Sequence, residues 1–300
     1  VTVTGTSVVE AGKAVSVKST DAGDITIDTT QGVTAKNGAV TVENANGGVT
    51  VKNGKVSASG DVLIGTGTDA DKRIAGAVEI SEGAVVEAGR DVRGYATKRV
   101  KVGADTMPND AAQVTATRTV EVVAGVSSSD RVTVQDKAKV ESLTDSVSLK
   151  AGDSVYVMGE AKVVADQAVT VDSGASVVVE GDVLAENGNA IVEADGNVTV
   201  SSDGTVKGDG VLLKGAAVET IGSASVMSTG AGAGGNLLIK ATGTDVTLGE
   251  GTTIVASRNL KVEAAANVRQ NTDMTAGGTV YVKAGSGNVD MAADTTTTTS

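Results

Sequence analysis

Three Asp-Gly pairs, Asp195-Gly196, Asp203-Gly204 and Asp209-Gly210, are the first residues in this 300-residue chain whose types and spacing invite a chemical reading. Carboxylates at tight corners are one way a repeat protein holds calcium. The ligand repeat of calcium-binding β-helices is GGxGxDxUx, and it is absent here. Turn chemistry explains the pairs: Asp bonds its own backbone two residues on, and Gly accepts a positive φ. Asp69 and Asp71 offer a second pair of carboxylates, again without the spacing of further ligands. No metal site is expected. The chain has no His and no Cys, which excludes Ser/His and Cys/His nucleophile systems and the usual zinc sites. No catalytic residue and no cofactor is therefore named.

The elements that would position any site follow from a repeated three-residue unit, apolar–any–apolar. Between Asn236 and Met291 it returns at Leu237/Ile239, Val246/Leu248, Ile254/Ala256, Leu260/Val262, Val268, Met274/Ala276, Val280/Val282 and Val289/Met291. Three such units close one lap, with Gly, Asn, Asp or Ser at most corners. Taking one triplet per lap, the series runs Val40, Val62, Val78, Val100, Val120, Val147, Val169, Ala190, Val211, Leu237, Leu260 and Val280. The period is about 21 residues, the mark of a β-solenoid whose laps stack on one another. The fold expected is all-β: a single right-handed parallel β-helix with three short strands per lap. In residues 1–62, Asn37-Gly38, Asn46-Gly47 and Asn53-Gly54 raise an antiparallel meander as the rival, since Asn-Gly is a hairpin signal. The same residues supply the positive-φ corners of a solenoid, and the continuing period favours it.

The domain reading is a repeat array over 1–292 with loops at 65–76, 103–113, 123–131 and 227–236, then a Thr-rich tail at 293–300 that reads as a frayed end or the start of a Thr-rich continuation. The residue at the centre of each triplet in the series points outward: Thr41, Leu63, Glu79, Lys101, Glu121, Ser148, Thr170, Ile191, Leu212, Leu238, Lys261 and Tyr281. No uniform rank of Thr appears, which disfavours ice binding. Ile191, Leu212 and Leu238 instead suggest an outward apolar stripe, a lateral contact site, with cover by the lengthened lap at 227–236 as the rival account.

Composition agrees with a narrow bore filled by small and β-branched side chains. There is no Phe or Trp, there are three Tyr, and the single proline is Pro108. The net charge of −12 disfavours nucleic acid and anionic membrane surfaces as partners. No apolar run is long enough to span a membrane. The strand pattern begins at Val1 with neither a signal peptide before it nor a capping helix, so the expectation is a processed chain or a segment of a longer one. Uncapped end laps, together with the stripe, predict contact with further copies or repeats of the same protein.

The run GGNLLIKATGTDVTLGEGTTIVASRNLKVEAAANV, with GGTVYVKAGSGNV after it and SGDVLIGTG near the other end, resembles the haemagglutinin-type repeats of filamentous adhesins. These are large two-partner-secretion exoproteins, and related patterns occur in autotransporter passengers. The resemblance covers about 55 to 65 residues at the C-terminal end, and the rest only as period and composition. It implies a right-handed parallel β-helix, export to the bacterial cell surface, and a secreted, non-catalytic fibre or stalk that displays binding regions to a host cell or glycan. The N-terminal secretion domain of that family is not in this sequence. The alternative is a carbohydrate-binding or carbohydrate-active, lyase-like β-helix, which would use acidic clusters, Ca²⁺ and a basic residue.

Overall fold

The computed structural model describes residues 1–65, 74, 76–104, 111–125, 129–231 and 234–299. The chain winds into a β-solenoid of about 12 turns, with about 23 residues and three strands per lap. Its strands, numbered along the chain, begin β1 (Thr2–Gly5), β2 (Val9–Ala11) and β3 (Val15–Ser19). Each then pairs with the strand three places later, so the first sheet runs from β1 to β4 (Ile25–Thr29) to β7 (Val49–Lys52) and onward. Among the described residues two sheets of 13 strands and one of 12 result, and every ladder is parallel. At the usual strand spacing of about 4.8 Å, the rod is about 60 Å long.

Alternation produces the core. In Ile25–Thr29 and Val49–Lys52, Ile25, Ile27, Val49 and Val51 are fully buried while Thr26 and Thr50 look outward. Val in this geometry packs against the like residue one lap away, which gives parallel ladders their aliphatic stacks. The second sheet ends its strands on small residues, Ala35, Ala58, Ala88, Ala116 and Ser142 in successive laps, where the chain turns sharply.

The Asn-Gly pairs make corners. Asn53-Gly54 joins β7 to β8 (Lys55–Ala58), which lie in different sheets. This corner between the first and second sheets collects left-handed backbone: Gly32, Asn53, Glu82, Lys137, Gly159, Ser202, Gly222 and Gly251 all have positive φ. The parallel pairing of each strand in residues 1–62 with a strand one lap away excludes an antiparallel meander.

One stretch of the lap series needs correction. Val78 and Val100 belong to the first sheet, paired with Val49 and Val132, not to the column of Val62 and Val120. In that column Val62 meets Val92, and Val92 meets Val120. No short lap exists there; two long laps do. Val-x-Val is the same signal in the first and third sheets, so an insertion of about half a lap shifts the count without breaking the pattern. The mean lap is about 23 residues instead of 21 for the same reason.

Parts of each expected loop lie outside the described residues (66–73 and 75, 105–110, 126–128, 232–233), as do Asp69, Asp71 and Pro108. The described parts are shorter than the expected loops: Val123 and Ala124 complete strand Val120–Ala124, and Met227 and Ser228 complete Ser225–Ser228. In the Thr-rich tail, Thr297–Thr299 forms a strand paired with Met274–Ala276 in the second sheet, so this part of the tail is built into the solenoid.

Candidate functional site

The third sheet carries the apolar stripe. Thr170 pairs with Ile191, Ile191 with Leu212, Leu212 with Leu238, and Leu238 with Lys261, so the three apolar residues are consecutive on one face. All three are half-buried. Glu79 and Lys101, counted in this rank from the sequence, stand on the first sheet, and Arg93 takes their place. The stripe floors an open groove of about 530 Å³ walled by Asn189, Gly210, Gly234 and Asn236. Gly210 sits in the corner stack between Asn189 and Asn236 and donates its N–H to Asn189 Oδ1 at 3.1 Å; the packing there is close, since a Cβ at Gly210 would lie 2.7 Å from that oxygen and 2.9 Å from the Gly234 carbonyl. Gly234 and Asn236, from the lengthened lap, form one wall of the groove.

Two residues further along each strand lies a second outward column, Lys150, Asp172, Glu193, Lys214, Lys240 and Glu263, one residue per lap. Lys150 pairs with Asp172 at 2.8 Å, Lys214 with Glu193 at 3.1 Å, and Lys261 with Glu263 at 2.9 Å. Exposed pairs of this kind contribute little to stability, so the column matters for what it presents. Lys261 Nζ, hydrogen-bonded to Glu263, holds that carboxyl below its ordinary range against the opposing cost of desolvation, and the ammonium groups of Lys240 and Lys283 act in the same direction.

A second groove, of about 520 Å³, follows the corner between the first and second sheets. Lys137, Lys139 and Lys162 meet Glu160, Glu180, Asp182 and Asp203 there. Lys162 lies 3.9 Å from Asp182, and Lys139 lies 2.8 Å from Glu141. The three Asp-Gly pairs are not one site. Asp195-Gly196 follows a third-sheet strand, Asp203-Gly204 a first-sheet strand and Asp209-Gly210 a second-sheet strand, so they occupy three different corners. Among the described residues no group of three or more acidic side chains is placed to hold a metal ion.

Two further clusters pin corners. Asp91 is 1% exposed and receives Arg93 at 3.0 Å, Arg118 at 3.3 Å and the Thr119 N–H at 3.3 Å. Asp245 Oδ1 accepts the backbone N–H of Asn267 at 2.9 Å and its side-chain amide at 3.0 Å, while Arg269 bonds the other oxygen at 2.9 Å. The Asn267 N–H is the largest influence lowering the Asp245 carboxyl, assisted by that amide and guanidinium and opposed by desolvation.

The charged column of the third sheet escaped the sequence reading, as did further outward apolar residues, Val164, Leu184, Met227 and Val255 on the second sheet and Tyr156 and Val178 on the first. The signal was present at the centres of the other two triplets of each lap and two residues past the first.

These observations define a β-solenoid repeat protein with three parallel sheets that carry ion pairs between laps. No family model, no curated protein and no solved structure matches the chain.

Proposed function

We propose that the chain is a segment of an extracellular bacterial surface fibre or stalk, a non-catalytic scaffold that holds binding regions away from the cell. One observation carries the reading: the three sheets continue through about 12 laps. Such a shape transmits length and stiffness. The likeness of residues 236–291 to haemagglutinin-type adhesin repeats supports the same role and a surface location. Labelling of intact cells with an antibody to the chain, and electron microscopy of the labelled structures, tests it. Surface filaments carrying the label are expected, and purely cytosolic label overturns the proposal.

The groove that gathers Lys137, Lys139 and Lys162 with Glu160, Glu180, Asp182 and Asp203 favours a second reading, a carbohydrate-active or carbohydrate-binding solenoid. Acidic groups beside amines are the equipment of a lyase-like site. A glycan panel and a cleavage assay on acidic polysaccharides with Ca²⁺ present separate the two. Turnover or glycan binding abolished by Lys162→Ala assigns the second reading; the absence of both leaves the scaffold.

A further inference from the structure

We propose that the third sheet is a self-pairing face: two copies of this chain pack face to face with their rods antiparallel, about a two-fold axis parallel to the strands that passes between the laps of Ile191 and Leu212. Such an axis reverses lap order and keeps position along the strand, so each outward column faces itself in reverse. The charged column reads Lys150, Asp172, Glu193, Lys214, Lys240, Glu263. Reversed about its midpoint, it sets Glu193 against the second copy's Lys214, Asp172 against Lys240, and Lys150 against Glu263. All three pairs are opposite in sign, and the symmetry doubles them to six. In the apolar column Ile191 meets Leu212 of the other copy, and Leu238 meets the methyl of Thr170.

The register is selective. Moving the axis onto the Leu212 lap sets Lys214 against itself and Asp172 against Glu263. Moving it one lap boundary further sets Lys214 against Lys240 and Glu193 against Glu263. Like charges in contact disfavour those alternatives. The face also escapes the repulsion expected between chains of net charge −12, because these six residues hold three positive and three negative charges. A centre of aliphatic contacts beside a charged rim is the usual anatomy of an interface. With about six to eight laps overlapping, each about 4.8 Å deep, the buried area is on the order of 1,000 Å² in total, the size of a weak, reversible contact. The pairing does not depend on the scaffold reading, since an enzyme could dimerise through the same face.

Cysteine scanning tests it cleanly because the chain has no native Cys. Thr170 and Leu238 are three laps apart in one chain, about 14 Å, too far for an internal disulfide. In the proposed pair each faces the other across the interface. Thr170→Cys with Leu238→Cys is expected to give a covalent dimer with a short bifunctional thiol cross-linker of about 8 Å reach, which suits side chains facing across sheets packed about 10 Å apart and falls short of the internal distance, while either single variant gives little. In sedimentation at micromolar concentrations, Asp172→Lys and Lys240→Asp should each weaken association about tenfold, and the double variant should restore it. Restoration separates pairing from misfolding, because the two residues do not touch within one chain. A chain that stays monomeric at 100 µM, single-cysteine variants that cross-link as well as the double, or a double charge swap no better than either single would overturn the proposal.

Discussion

At the scale of single residues, the rod separates glycines it needs from glycines it tolerates. A Cβ on Gly54 would lie 2.1 Å from the carbonyl oxygen of Thr29 one lap below, a collision with backbone that no side-chain rotation relieves. Gly94 is the opposite case. It occupies an inward position between Ile64 and Val122, its φ is not left-handed, and a Cβ there meets nothing within 4 Å. Gly94→Ala is expected to raise stability by about 0.5–1 kcal/mol, from reduced unfolded-state entropy and added core contact. Gly54→Ala should lower it by about 1–3 kcal/mol. Urea unfolding midpoints of the two variants decide the matter, and a rise for Gly54→Ala would refute the corner geometry. Asp91 belongs to the same scale. Its carboxylate satisfies Arg93, Arg118 and the Thr119 N–H at a buried corner, so Asp91→Ala should cost about 1–3 kcal/mol and Asp91→Asn less, by the same measurement.

At the scale of the strand and its corner, electrostatics gives the laps near Asp245 a defined acid sensitivity. The Asp245 and Glu263 carboxyls are held below their ordinary values of 3.8 and 4.5 in the fold. A carboxyl with a depressed folded pKa contributes stability above its unfolded value and loses it as pH falls through the folded one. The window therefore lies below about pH 4.5. Asp245→Asn should melt at a lower temperature than the parent at pH 6, and the difference should narrow as the pH falls below 3.8. A gap that stays constant across that range would show that the Asn267 N–H and Arg269 do not favour the ionised form. This scale also shows what the sequence could disclose. The triplets from Leu237 to Met291 correspond one for one to strands, because alternation of buried and outward residues is itself the strand signal. The stripe of Ile191, Leu212 and Leu238 was legible for the same reason, since laps of regular length make lap neighbours countable. Val78 and Val100 were misplaced because sheet membership is not encoded in a triplet. It depends on the length of chain between triplets, which insertions change. The column from Lys150 to Glu263 was hidden because its charges look like ordinary solvated positions until the ladder shows them to be adjacent.

At the scale of the molecule, a lap is the unit of both folding and length. Each strand contacts chiefly the strands one lap before and after it, so stability is close to a sum of lap terms and neighbour terms. Ala190 and Val211 hold the same place in adjacent laps, which makes residues 190–210 one complete turn. Deleting them joins Asn189 to Val211 and leaves every later strand in its own sheet, with Val169 stacked on Val211 and Val177 on Val218. Such a chain is expected to keep its β-sheet circular dichroism and cooperative melting, and to shorten by about 5 Å in solution scattering. Deleting residues 190–200 alone removes two strands of three. The next strand, Thr205–Gly208 of the second sheet, would then arrive where a third-sheet strand is required, and its small inward Gly208 would replace the aliphatic Val192. All laps beyond would be out of phase, and hydrogen-exchange protection should disappear from residue 205 to the end of the chain while laps before Asn189 retain theirs. If removal of the full turn proved as damaging as removal of the partial one, the lap would not be the independent unit that the three-sheet register describes.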